Sequence, residues 1–281
     1  MHAPRRYSRV SAKVYCVGDN TMNMRPSRVL RKLRNGEVAV SIKLNFADAR
    51  AAELTAMFGF DCIWADLEHV ANDWSVVEQQ IWAAKSYDVD VMTRVARGPY
   101  SDYIRPLELD SAGIMVPHVM SAEDAKSVAR MTRFQPIGRR ALDSGNADGA
   151  FCNIPLLDYL KQANEQRFVA IQIEDPEPLD ELDEIASVDG IDMLFFGPAD
   201  FSHSIGVPGQ FDHPMVVETR KRIADVARAH GKFAGTVGSP EKIDELADMG
   251  YLFIGISSDV TGLSAHFKDL LARLEKTRYR K

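Results

Sequence analysis

"RFVAIQIEDPEPLDELDEIASVDGIDMLFFGPAD", residues 167–200, sets two apolar runs on either side of a polar, acid-rich segment. The runs RFVAIQIE (167–174) and IDMLFFG (191–197) are near-continuously apolar instead of alternating. That pattern belongs to strands covered on both faces, as in a parallel sheet. DPEP (175–178) places a capping residue, Asp175, before a proline at the first helical position, and an acid follows. This is a helix-start signal, so the stretch reads strand, helix, strand.

The same unit recurs on both sides. Upstream lie VAVSIKL (38–44), DCIWADL (61–67), DVMTRVA (90–96) and GIMVPHV (113–119), and downstream KFAGTV (232–237) and YLFIGIS (251–257). With the first two runs this makes eight expected strands. SAED (121–124) has the form of a capping box and SPEK (239–242) repeats the capped proline. ARAHGK (227–232) and ADMGY (247–251) end helices at a glycine just before a strand. Eight strand–helix units predict an α/β fold, a single (β/α)8 TIM barrel. An open doubly wound sheet is the alternative, but no G-x-G-x-x-G turn follows the first strand. Two connections are long, 139–154 and 198–212, and both are expected to follow or approach the functional, C-terminal end of the barrel.

With 281 residues, 46% hydrophobic and 26% charged, the chain can bury a large core as one domain. Its net charge of -6 argues against nucleic acid as main partner. The N-terminal segment departs from this, with Arg5, Arg6, Arg9, Lys13, Arg25, Arg28, Arg31, Lys32 and Arg34 against Asp19. A loose basic leader over residues 1–24, then a short helix in PSRVLRKLRN stopped by Gly36, is the simpler reading. A presequence or nucleic-acid arm is the other. The domain is then 25–281. Cys16, Cys62 and Cys152 show no C-x-x-C spacing, so neither a disulfide framework nor a zinc site is expected, and Cys62 reads as core filling. No apolar stretch suits a membrane span or signal core. A cytoplasmic protein is expected.

Polar residues at the C-terminal ends of barrel strands are the candidates for chemistry. They are Asp66, Glu68 and His69 after the second run, Arg94 in the third, His118 after the fourth, Gln172 and Glu174 in the fifth, and Asp200 after the sixth. Glu174 and Asp200 follow adjacent strands, so their carboxylates can converge on a hard divalent cation or form an acid/base pair. An arginine and a histidine on the same rim favour an anionic substrate and proton transfer. Asp175 is assigned to capping. A Schiff-base route needs an activated lysine. Lys43 and Lys232 are the strand lysines, and neither has an activating partner in the sequence reading.

Together GFDCIWADLEHVAND (59–73), VMTRV (91–95), GIMVPHV, RFVAIQIE and GIDMLFFGPADFS (190–202) resemble the HpcH/HpaI family of metal-dependent, class II pyruvate aldolases. The resemblance spans roughly residues 25–275. It implies that Glu174 and Asp200 ligate a divalent cation, Mg2+ or Mn2+, with Co2+ as a third candidate. It implies Arg94 on the oxo/enolate oxygen, His69 as base and Asp66 as its orienting partner. Gln172 is expected in support of the glutamate. The backbone N–H groups of Ala199 and Asp200 are expected on the pyruvate carboxylate, and Arg140 and His118 on the substrate. By resemblance the protein is a hexamer built from dimers, with the C-terminal helix exchanged between subunits.

The implied reaction is reversible cleavage of a 4-hydroxy-2-oxo acid into pyruvate and an aldehyde. Cleavage between C3 and C4 leaves charge on a pyruvate enolate, which a cation and Arg94 stabilise. The C4 hydroxyl proton needs a base such as an imidazole. The chain departs from the family at Leu67, Val70, His118 and the segment RRALDSGNADGA (139–150), which leaves the aldehyde open. Alternatives are a related pyruvate-enolate lyase (an oxaloacetate decarboxylase or an acyl-CoA ester lyase) and a non-catalytic oxo-acid-binding barrel.

Overall fold

A strand alternates its side chains between two faces, so parity decides which residues enter a barrel. In this computed structural model, which describes residues 22–278, eight parallel strands close in sequence order. They are β1 (Ala39–Leu44), β2 (Cys62–Asp66), β3 (Asp90–Arg94), β4 (Gly113–Val116), β5 (Phe168–Ile173), β6 (Met193–Phe196), β7 (Phe233–Val237) and β8 (Tyr251–Ser258). The sequence reading of eight strands holds, each boundary falling within a few residues of its apolar run. The helices are α1 (Arg28–Arg34), α2 (Ala49–Met57), α3 (Trp74–Lys85), α4 (Tyr100–Glu108), α5 (Ala122–Thr132) and α6 (Leu156–Gln166). There follow α7 (Leu182–Ala186), α8 (Pro198–Ser204), α9 (Pro214–Ala229), α10 (Ile243–Met249) and α11 (Asp259–Glu275).

In β5 the odd residues Val169, Ile171 and Ile173 pack outward with helix residues such as Val128, Leu182 and Ile185. The even residues Phe168 and Ala170 face inward, with Trp64, Met92, Met115, Phe195 and Phe253. The barrel interior is thus filled with side chains, and the same parity carries Gln172 and Glu174 into its upper end. In β2 and β3 it does the same for Asp66 and Arg94, which sit opposite each other in register. Ser121 caps α5 by accepting from the Asp124 N–H at 3.2 Å. Gly250, at φ 112, ends α10 in the left-handed conformation that glycine adopts without Cβ strain.

Helix α1 closes the lower end. Val29, Leu30 and Leu33 join the inner cluster, and buried carboxylates hold the helix from outside. Arg28 and Lys32 pair with Asp61 at 2.9 and 2.7 Å, and Arg25 pairs with Asp90 at 2.7 Å. These basic residues therefore plug the barrel, and a free basic surface does not describe them. Met24, placed in the leader by the sequence reading, is buried beside Phe134 and Tyr159. The rest of the leader up to residue 21, with Cys16, lies outside the described residues. Cys62 is buried, as expected.

Of the two long connections, the second lies where expected and the first does not. Residues 198–212 open with α8, which begins directly after β6 because Pro198 suits a first helical position. The 139–154 segment starts at the lower end of the barrel. The Arg139 N–H donates to Arg130 O and the Arg140 N–H to Arg133 O, at the foot of α5. Arg133 itself donates to Gly190 O and Arg167 O, ahead of β6 and β5. The segment and α6 are tied to this end because α5 has already descended before they begin.

Candidate active site

Asp66, buried at the end of β2, is the most heavily bonded carboxylate of the upper rim. Arg94 Nε donates to Oδ1 at 3.0 Å and Nη2 to Oδ2 at 2.6 Å, a bidentate pair. Lys43, inward on β1, lies 2.6 Å from Oδ2. The Glu68 and His69 backbone N–H groups donate to Oδ1 at 3.0 and 3.4 Å. Burial opposes the charge, but the hydrogen bonds and charge of Arg94, then those of Lys43, hold the carboxyl well below its usual range. Arg94 is fixed from a third side, with Nη1 3.1 Å from Glu68 Oε2. Its guanidinium lies over the Trp64 ring, 4.8 Å from the centroid. A guanidinium has five N–H donors, and these contacts use three of them.

This arrangement changes two expectations. Both oxygens of Asp66 are taken by Arg94 and Lys43, so Asp66 orients the arginine. The carboxylate beside the His69 ring is Glu68, with Nε2 3.5 Å from Oε2, and the imidazole is 57% exposed. Lys43, which the sequence left without a partner, is ion-paired, whereas a Schiff-base amine must be neutral. Lys232 donates to Val188 O at 3.0 Å, at the start of β7 and away from the rim. Parity along β1, with Ser41 and Lys43 on the inward face, is the signal that would have placed Lys43 here. Leu67 packs outward against the α2–α3 cluster and leaves the rim to its neighbours.

Glu174 stands across the mouth and is only 1% exposed. Its Oε1 accepts the His118 N–H at 3.0 Å and its Oε2 accepts from Gln172 Nε2 at 2.6 Å, the supporting contact expected of Gln172. Burial first, and then the nearby charge of Asp200, push its pKa up to about 7. The side chain of Asp200, in the first turn of α8, makes no hydrogen bond or ion pair among the described residues. Gly197 is required at the join, because a Cβ there would meet Glu174 Oε2 at 2.3 Å. The Ala199 and Asp200 N–H groups belong to the first helical turn, whose amides have no intrahelical acceptor.

These groups fit a hard divalent cation. Asp200 lies near enough for its charge to act on Glu174, and neither carboxylate is paired with a lysine or arginine among the described residues. Their donor atoms are all oxygen, the set that magnesium or manganese takes together with water and substrate oxygens. No group of three or more metal-binding side chains occurs among the described residues.

His118 Nδ1 lies 2.8 Å from Asp175 Oδ2. Asp175 is therefore an imidazole partner, and the next helical turn, Glu177–Glu181, starts without a side-chain cap. Burial pulls the His118 pKa down, but the Asp175 hydrogen bond and the charges of Glu174, Asp175 and Glu68 outweigh it and raise it. The structure does not bring Arg140 to this rim. Its Nη2 donates to Asp148 at 2.7 Å and its guanidinium stacks on Phe134, in a buried cluster at the lower end that includes Tyr159. An arginine this enclosed is committed to holding its own segment.

The match to known proteins covers most of this architecture. Residues 44–265 match the HpcH/HpaI aldolase/citrate lyase family. The chain belongs to that family. Over 255 residues, 90% of this chain and 95% of the relative, it is 31% identical to a hydroxypyruvate/pyruvate aldolase of Pseudomonas aeruginosa. It is 33% identical to a 4-hydroxy-2-oxo-heptane-1,7-dioate aldolase of Salmonella dublin, covering 86% and 92% of the two chains. A crystal structure of an HpcH/HpaI aldolase/citrate lyase family protein from Burkholderia cenocepacia superposes with a TM-score of 0.82 at 28% identity, covering 89% of this chain and all of that one. The HpcH/HpaI member described here is accordingly an aldolase, a carbon–carbon lyase. Among its described residues no helix is long and apolar enough to cross a membrane.

Proposed function

We propose that this pyruvate aldolase reversibly cleaves a 4-hydroxy-2-oxo acid into pyruvate and an aldehyde, using a divalent cation, Mg2+ or Mn2+, held by Glu174 and Asp200. The observation that carries the reading is the pairing of a buried, raised-pKa carboxyl with a second carboxylate, facing a rigidly held arginine. The cation supplies Lewis-acid stabilisation of the enolate charge, worth several kcal/mol. The two N–H donors that Arg94 keeps free of Asp66 and Glu68 meet the oxo oxygen as it gains charge. The Ala199 and Asp200 amides receive the carboxylate. His69 takes the proton from the C4 hydroxyl, the C3–C4 electron pair passes to the enolate, and the aldehyde leaves. A proton returned to C3 completes pyruvate. A half-exposed imidazole suits this step, because it can exchange its proton with water.

A homo-oligomer, with α11 exchanged between subunits in a trimer of dimers, belongs to the same proposal. In support, α11 has no buried residue, and it exposes Leu263, Phe267, Leu270, Leu271 and Leu274. A cytoplasmic setting agrees with buried, unpaired Cys62.

Pyruvate binding measured by calorimetry with and without Mn2+ tests the site. Binding should require metal in the wild type and disappear in Glu174→Ala and Asp200→Ala, together with turnover. Full activity after exhaustive chelation, or in either variant, would sink the metal mechanism.

A further inference from the structure

Arg97 leaves the connection between β3 and α4 and reaches the turn that follows β4. Its guanidinium meets the Asp124 carboxylate as a fork, Nη1 to Oδ2 and Nη2 to Oδ1, both at 2.9 Å. Nη1 also lies 3.2 Å from Pro117 O and 3.1 Å from His118 O, so its second hydrogen is shared between the two carbonyls. Asp124 Oδ2 in turn accepts the Met120 N–H at 3.1 Å. One arginine–aspartate pair therefore ties three backbone groups of the turn 117–120.

The conformation held there is an unusual one. His118 sits at φ 48, in the left-handed region that a non-glycine residue keeps only where its surroundings enforce it. On one side of it the His118 N–H donates to Glu174 Oε1 at 3.0 Å, and on the other the Val119 N–H donates to Gln172 O at 3.3 Å. Relaxing His118 to negative φ turns these two peptide units relative to each other, so both bonds cannot survive it. We infer that Arg97 is a positioning residue for Glu174, holding the turn whose His118 N–H orients that carboxylate. The inference rests on the proposed ligation of the cation by Glu174 and adds a residue that acts on it only through the backbone. Charge alone predicts the opposite sign. A guanidinium near a cation site repels the ion, so removing it should tighten binding.

The test compares the wild type with Arg97→Met and Arg97→Lys. Amide hydrogen exchange of the metal-free proteins reads the turn directly. Calorimetry reads Mn2+ affinity, and then pyruvate affinity at saturating Mn2+. In both variants the His118 amide should exchange at least about tenfold faster. Mn2+ should bind about tenfold more weakly, as when a metal-binding carboxylate loses its hydrogen-bond partner. Lysine should not rescue, because one ammonium cannot span the aspartate and two carbonyls. Pyruvate affinity at saturating Mn2+ should stay within about threefold of wild type, since Arg94 is untouched, whereas a general loss of structure would weaken both. Unchanged or tighter Mn2+ binding in either variant, unchanged exchange at His118, or an equal loss of pyruvate affinity overturns the inference and leaves the cation site standing. A wild-type protein that binds no Mn2+ removes the Glu174 site, and this role for Arg97 with it.

Discussion

Gly197→Ala places a single methyl group against the proposed cation site. Its backbone tolerates the change, since φ is -97. The new Cβ would lie 2.3 Å from Glu174 Oε2 and 2.8 Å from Glu174 Cβ, against ordinary contacts of 3.4 Å or more. The flexible end of Glu174 has to retreat by about 1 Å, and its bond from Gln172 goes with it. A displacement of that size at a reacting centre costs roughly 10²-fold. Overpacking in a tight interior costs about 1–3 kcal/mol, which in a domain of this size lowers Tm by a few degrees. Folding should therefore survive while function does not. The assay is Mn2+ affinity by calorimetry beside kcat/KM for aldol cleavage, with metal-free thermal unfolding as the fold control. Metal affinity and turnover at wild-type level in this variant would refute the placement of Glu174 as a ligand.

His69→Ala should retain metal and pyruvate binding while cleavage falls by about 10²–10⁴-fold, the usual worth of a positioned base. Single-turnover kinetics and calorimetry separate the two effects. Arg94→Lys keeps a charge but loses the fork that spans Asp66 and Glu68, so kcat should drop by about 10²-fold or more, with activity within a few-fold showing that bulk charge suffices. Glu174 gives a pH signature, because burial and Asp200 raise its pKa from 4.5 to about 7 in the folded protein. The proton-bound form is favoured by folding, so this group's contribution to metal-free stability is full below pH 4.5 and lost as pH rises through about 7. Metal needs the anion, so apparent Mn2+ affinity should instead fall as pH drops below 7. Opposite pH trends for metal-free Tm and metal affinity check both halves.

The barrel was readable from sequence because its signal is local and repeated. Most strands are largely apolar runs, and glycines such as Gly231 and Gly250 mark where helices turn back. The rim residues were readable because a strand end fixes which end of the barrel a side chain occupies. Pairing was not. Asp66, Glu68 and His69 lie within four positions of one another, and the family resemblance points to the aspartate as the histidine's partner. The fold instead brings Arg94 and Lys43 in from two neighbouring strands, and they outcompete it. Asp175 shows the same limit. Its place before Pro176 is a helix-start pattern, yet His118 reaches it from the end of the neighbouring strand β4. The 139–154 segment was misplaced for a related reason. Its length suggested a functional loop, whereas its position below α5 depends on which of two successive helices runs beside the barrel.

The Arg94 guanidinium stacked on Trp64 gives the molecule an optical handle on its own chemistry. Of three tryptophans in the chain, Trp64 alone lies in the barrel interior, and Trp82 is largely exposed. An indole shielded from water with a cation on its face responds to any shift of that cation. Emission from Trp64, isolated by replacing Trp74 and Trp82 with phenylalanine, would follow Arg94 as it meets an oxo acid. No label or coupling enzyme would be needed, and occupancy could be read on the timescale of mixing. The residue that fills the lumen beneath the site also makes the filling of that site visible.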